Sequence, residues 1–167
     1  VADLRIMLQP DFLVNFRSSS SLNSDKNIIN SRAWIQTAIN ISKDIETKPY
    51  NAAKLKGYLP ELRDMTVKKP KEFLPRMYEI FAECGIAFVL LPHLKNSGVN
   101  GTVKWVTDDR VVLAINNRGV YADKFWFSLF HEIRHVLQQK IKKVFISSTL
   151  EEMMDINNKL EIDADKF

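Results

Sequence analysis

Apolar positions change period along this chain, and each change predicts a different element. Trp34, Ala38, Ile41 and Ile45 recur at one-turn intervals, so the spacing predicts a helix from about Ser31 to Glu46. A second helix is expected from Ala52 to Leu62, bent or shortened at Pro60 because proline has no amide to donate. Pro70 suits a first helical position. Phe73, Met77, Ile80 and Phe81 then mark an inner face that runs until Gly85 supplies a C-terminal stop. Beyond it the pattern reads as strands at Ile86 to Leu91, Thr102 to Val106 and Val111 to Asn116, the last two joined through Thr107-Asp108-Asp109-Arg110 as a hairpin. Helical spacing returns from Asp123, read as an N-cap, to about Lys140, where Trp126, Leu129, Phe130, Ile133, Val136 and Leu137 make one broad stripe. Overlapping capping boxes, Ser148 with Glu151 and Thr149 with Glu152, open a last acidic helix with Leu160, Ala164 and Phe167 along its seam.

Early helices, a small antiparallel or mixed sheet of about three strands, and two late helices predict an α+β domain and not a wound parallel sheet. Ahead of it, residues 1–24 read as an N-terminal arm ending in a serine-rich linker, Ser18 to Ser21 with Asn23 and Ser24, which leaves 25–167 as the domain proper.

The chemistry concentrates in one place. His131-Glu132-Ile133-Arg134-His135 puts two imidazoles four residues apart on the expected helix, where residues i and i+4 stack and can grip a single ion about 2 Å from each ring nitrogen. Glu132 lies about 100° around the same turn, within reach of a water that it can deprotonate. With 3 histidines and 9 glutamates in the chain, random placement yields this triplet with a probability of only about 0.003, so accident is the weaker explanation. On a helical wheel both histidines fall beside Lys124, Ser128 and Gln138, opposite the apolar stripe, and are expected outside the face that enters the core. Two histidines leave a tetrahedral ion one protein ligand short, and the acidic helix offers Glu161 or, one turn later, Asp165. Asp163 points about 200° away from Glu161 and is the poorest of the three.

The run Lys124-Phe125-Trp126-Phe127-Ser128-Leu129-Phe130-His131-Glu132-Ile133-Arg134-His135, followed by Glu161-Ile162-Asp163-Ala164-Asp165-Lys166-Phe167, resembles the ImmA/IrrE metallopeptidase family. Cys84 to Pro92, Gly101 and Val111 to Asn116 extend the resemblance more weakly upstream, so that it covers the chain from about Pro70 onward. It implies a zincin-like fold, zinc ligands His131, His135 and Glu161, and Glu132 as catalytic base; Glu161 is preferred to Asp165 on this ground alone. One position departs from the family pattern: Arg134 stands where glycine is usual, and a long cation there is expected to narrow the cleft or contact an acidic substrate.

Composition adds bounds. The chain has 167 residues, 46% hydrophobic and 26% charged, which is ordinary for one globular domain. Its net charge of +4 is spread widely. The tightest lysine groups, Lys68-Lys69-Lys71 and Lys140-Lys142-Lys143, lack interleaved aromatics and read as solvated surface and not as a nucleic-acid platform. Cys84 has no partner for an internal disulfide and adjoins apolar residues, so a buried thiol in a reducing cytoplasm is expected; neither a signal peptide nor a membrane span is visible. The chain opens on Val and stops just after the acidic motif, as a portion of a longer protein would.

The function expected is therefore a zinc-dependent endopeptidase that cleaves a regulatory protein of repressor or antitoxin type, with Glu132 activating water. The resemblance implies a DNA-binding regulator as partner, and contact with DNA only through a helix-turn-helix domain outside this sequence. The alternative is a non-catalytic, zinc-containing regulatory or sensing module. An oxyanion-stabilising group is also required, and His93, Arg118, Tyr121 and Arg134 are the candidates. Manganese or iron would compete with zinc for such donors.

Overall fold

The computed structural model describes residues 16–18, 25–117, 122–138 and 159–167. In chain order these form β1 (Phe16–Ser18), α1 (Asp25–Ser42), α2 (Ala52–Asp64) with a 3-10 turn at Met65–Val67, α3 (Pro70–Glu83), β2 (Ile86–Leu91), β3 (Val99–Thr107), β4 (Arg110–Asn116) and α4 (Ala122–Gln138). Residues 159–166 are helical and are labelled α5. The architecture is α+β. The rest of residues 1–24, the capping boxes at Ser148 to Glu152, Lys140, Lys142 and Lys143, and Arg118 and Tyr121 lie outside the described residues.

The sheet is mixed, in the order β1-β3-β4-β2. β2 runs parallel to β4, from Ile86 opposite Val111 to Leu91 opposite Asn116, while β3 is antiparallel to both β4 and β1. Its four strands exceed the three expected because Phe16–Ser18, read as part of the arm, pairs with β3 from Thr102 to Val99. Too short to announce itself by alternation, this strand is specified by an open edge next to it. The same pairing extends β3 beyond Thr102–Val106: Gly101 is a poor strand former but is paired with Arg17 on one side and Ile115 on the other, and Asn100 is the extra residue where the register with β1 shifts.

Both faces of the sheet are covered, which is why β2 and β4 read as unbroken apolar runs. Ile86, Phe88, Val111, Leu113 and Ile115 point to one face, where they meet Leu55, Leu62, Met77, Ile80, Phe81, Leu129, Ile133 and Val136 from α2, α3 and α4. Val89, Leu91, Val112 and Ala114 point to the other, under Trp34, Ile35 and Ala38 of α1. Strand periodicity thus sorts alternate residues of one run into two cores.

Several boundaries differ from those expected. α1 starts six residues early and stops at Ser42 instead of Glu46, where the Arg110 guanidinium donates to the carbonyls of Ser42 and Ile45 and so takes up helix-end acceptors. Pro60 does not shorten α2; it lies on the exposed side, and the helix continues to Asp64. Asp123 is not the cap of α4 but sits in its first turn, where its charge still suits the helix dipole. Gly85 at φ +80° makes the α3–β2 turn as expected, and a Cβ there would lie 2.3 Å from the backbone of Tyr50. Tyr50 in turn stacks edge-on to Trp105 at 4.9 Å and donates its hydroxyl to the carbonyl of Val136 at 3.2 Å, tying this corner to the end of α4.

Cys84 is a buried free thiol closing α3, and burial pushes its pKa up to about 11. Lys68, Lys69 and Lys71 are exposed. Among the described residues no helix is long and apolar enough to cross a membrane.

Candidate metal centre

The stripe Trp126, Leu129, Ile133 and Val136 packs α4 onto β3 and β4, which fixes the rotation of the helix and hence where its remaining residues point. His131 and His135 lie off the stripe that faces the sheet, as the wheel places them, yet they are buried all the same at 2% and 1% exposed, and Glu132 between them is 1% exposed. The wheel sees only the side facing the sheet. α5 lies over the histidines from the other side, and Gly101 of β3 accommodates Glu132.

Glu161 and Asp165 take different roles. The Glu161 carboxylate is 3.2 Å from Nε2 of His131 through one oxygen and 3.2 Å from Nε2 of His135 through the other, and the two Nε2 atoms are 3.0 Å apart. Asp165 instead accepts the Nδ1–H of His131 at 3.0 Å. Being one turn beyond Glu161 places it on the same flank of α5, next to the far side of the same ring. His135 is held in like manner. Gln138 donates its amide to the carbonyl of Leu160 at 3.0 Å and to Asp163 at 2.8 Å, so its oxygen faces the Nδ1–H of His135 at 2.9 Å.

These partners decide the tautomers. The Asp165 carboxylate and the Gln138 amide oxygen can only accept, so a neutral imidazole at either position keeps its hydrogen on Nδ1 and turns an Nε2 lone pair inward, whereas a charged one also donates from Nε2 to Glu161. Two lone pairs and a carboxylate then converge at separations of 3.0–3.2 Å, an arrangement that repels itself unless a cation sits among them. Donors about 2.0–2.1 Å from a tetrahedral ion are about 3.3 Å from one another, which is close to the 3.0 Å between the two Nε2 atoms and the 3.2 Å from each to its nearer Glu161 oxygen. His131, His135 and Glu161 form a group that could hold a metal ion, all within 4.8 Å of one another. His93, half-buried in the loop after β2, is not part of it.

Protons compete for the same place. Burial opposes charging His135, but its contact with Glu161 and the charges of Glu132 and Glu161 outweigh that, and its pKa is raised above 6.5. Burial likewise resists the charge on Glu161, yet hydrogen bonds from His131 and His135 pull its pKa down to about 2.

Arg134, expected to narrow the cleft or contact an acidic substrate, is paired with an acidic group of the chain itself. Its guanidinium grips Asp163 at 2.7 and 3.0 Å through Nε and Nη2. Glu132 is seated where a Cβ on Gly101 would lie 2.7 Å from its Cγ and 2.9 Å from its Oε1. Gln138 and the seat at Gly101 are parts of the site that the sequence reading does not assign. The i+3 spacing of Gln138 from His135 was a usable signal. No local signal joins Gly101 to Glu132, 31 positions away.

Comparison with family models, curated proteins and solved structures returned no match.

Proposed function

We propose that this chain is a zinc-dependent endopeptidase of the ImmA/IrrE type, with a zincin-like fold, that cleaves a regulatory protein such as a DNA-binding repressor or antitoxin. The observation that carries the reading is the inward convergence of both Nε2 lone pairs and the Glu161 carboxylate, with each Nδ1 already committed to Asp165 or Gln138. Two imidazoles and one carboxylate are a zinc donor set that leaves a fourth position open, as hydrolysis requires and a purely structural site does not. A zinc ion bound there would supply a Lewis acid that polarises a peptide carbonyl and makes water more acidic.

The residues of the chain divide the remaining work. His131, His135 and Glu161 bind; Asp165 and Gln138 orient the rings. Glu132, adjacent to His131 in sequence and held by the sheet, is the proton carrier: its carboxylate takes a proton from the attacking water and delivers it to the leaving amine nitrogen. Burial of Glu132 keeps bulk water from competing for that proton.

The deciding experiment is Glu132→Gln, which preserves shape but cannot accept a proton. Zinc content should stay unchanged while cleavage of the cognate regulator falls about 10²- to 10⁴-fold. A folded, zinc-loaded wild type that leaves candidate regulators intact would favour the sensing module instead.

A further inference from the structure

Glu161 comes to the site from a different segment than the two histidines, so its position depends on what holds α5 against α4. Two opposite flanks of α5 are engaged. Glu161 and Asp165 face the histidines on one flank, Ala164 is buried in the seam, and Asp163 faces Arg134 and Gln138 on the other. Attachment on both flanks stops the helix rolling about its own axis, and a roll of even 30° would swing a long carboxylate away from both rings.

Arg134 supplies the main polar grip on the second flank. Its Nε donates to Asp163 Oδ2 at 2.7 Å and its Nη2 to Oδ1 at 3.0 Å, a fork matched to the two carboxylate oxygens. Gln138 adds a bond to the same carboxylate at 2.8 Å, and the guanidinium lies 5.4 Å from the centre of the Phe167 ring. A single half-exposed ion pair contributes little, and these side chains are 32% and 44% exposed. The bidentate geometry, the shared amide and the aromatic ring turn it into a directional network.

We propose that Arg134 is a positioning residue: through Asp163 it sets the roll of α5 and holds Glu161 over the histidine pair before any ion arrives. The inference rests on the metal-site reading above. If only a fraction of metal-free molecules held Glu161 in place, the apparent dissociation constant would rise by the inverse of that fraction, so the grip should be legible in metal affinity.

The test uses the full chain with Arg134→Met, which keeps an apolar stem and loses the fork, and with Arg76→Met as control. Arg76 is a comparable half-exposed fork on Glu61, away from the site. Zn²⁺ affinity is read by competition with a chromophoric chelator, and amide hydrogen exchange of residues 159–167 is read on metal-free protein. Arg134→Met should weaken zinc by about 10- to 100-fold and speed exchange in 159–167, with Arg76→Met changing neither. Zinc affinity within about twofold of wild type for Arg134→Met, or an equal loss in Arg76→Met, would overturn the proposal. If the wild type takes up no stoichiometric zinc, the metal reading fails by itself. Exchange in 159–167 then judges the grip alone, and an unchanged rate in Arg134→Met overturns it.

Discussion

Gly101 on β3 and Glu132 on α4 share one space: the volume a side chain would fill on the strand is filled by the carboxylate of the helix. Sheet and proposed proton carrier are thus fitted to each other, and the proposed metal ligands are not among the atoms of that contact.

Gly101→Ala should therefore separate binding from chemistry. The added methyl would press on Glu132, at both Cγ and Oε1, and on Ile115, whose Cδ1 is 2.9 Å from the same point. Zinc affinity should change by less than about threefold while cleavage falls at least about tenfold, since misplacing a catalytic group by a fraction of an ångström is costly. Paired zinc titration and cleavage assays check this; unaltered cleavage would show that the seat does not matter.

The ligand set predicts a ranking of variants. Wild-type protein should carry about one divalent ion per chain, and His131→Ala or His135→Ala should abolish it. Glu161→Ala should weaken binding far more than Asp165→Ala. The latter removes only the partner of His131 Nδ1, a loss of about 10- to 100-fold. Metal analysis with zinc titration decides the order, and the reverse order would move the third ligand one turn along α5.

Metal-free and metal-bound protein should respond to pH with opposite slopes. Glu161 has a depressed pKa, so its stabilising contribution is complete above 4.5 and is lost as pH falls toward about 2. His135 has a raised pKa, so its contribution is complete below 6.5 and is lost as pH rises through its higher folded value. Without metal the cluster should therefore stabilise most between 4.5 and 6.5. Zinc must displace the proton from His135, so its affinity should climb with pH across the range in which metal-free stability declines. Thermal melts of metal-free wild type and Glu161→Gln, alongside zinc titrations at several pH values, test both slopes; parallel slopes contradict the assignment.

Gly85→Ala should cost at least about 2 kcal/mol, combining a left-handed backbone with a clash against Tyr50. Because Tyr50 is bonded to the carbonyl of Val136, part of the loss should appear as faster amide exchange at the end of α4. Denaturant unfolding with exchange measurements gives both quantities.

What was legible in the sequence is local. Phe73, Met77, Ile80 and Phe81 marked the inner face of α3, the run Ile86–Leu91 was a strand as read, and the spacing of His131 and His135 put two imidazoles on one side of one helix. Each follows from a period of 3.6 or 2 acting over a few residues. What only the tertiary structure decided is which distant groups meet. Spacing left Glu161 and Asp165 as rivals, and the choice depended on the roll of α5 over α4. For Arg134 the sequence offers no partner by spacing, and the fold brings Asp163, 29 residues on, beside it. The burial of both histidines and the pairing of Phe16–Ser18 with β3 have the same origin, since each is decided by a neighbour remote in the chain. Periodicity tells a residue which way to face along its own element, but the partner it faces is chosen by packing between elements, and no local pattern encodes that choice.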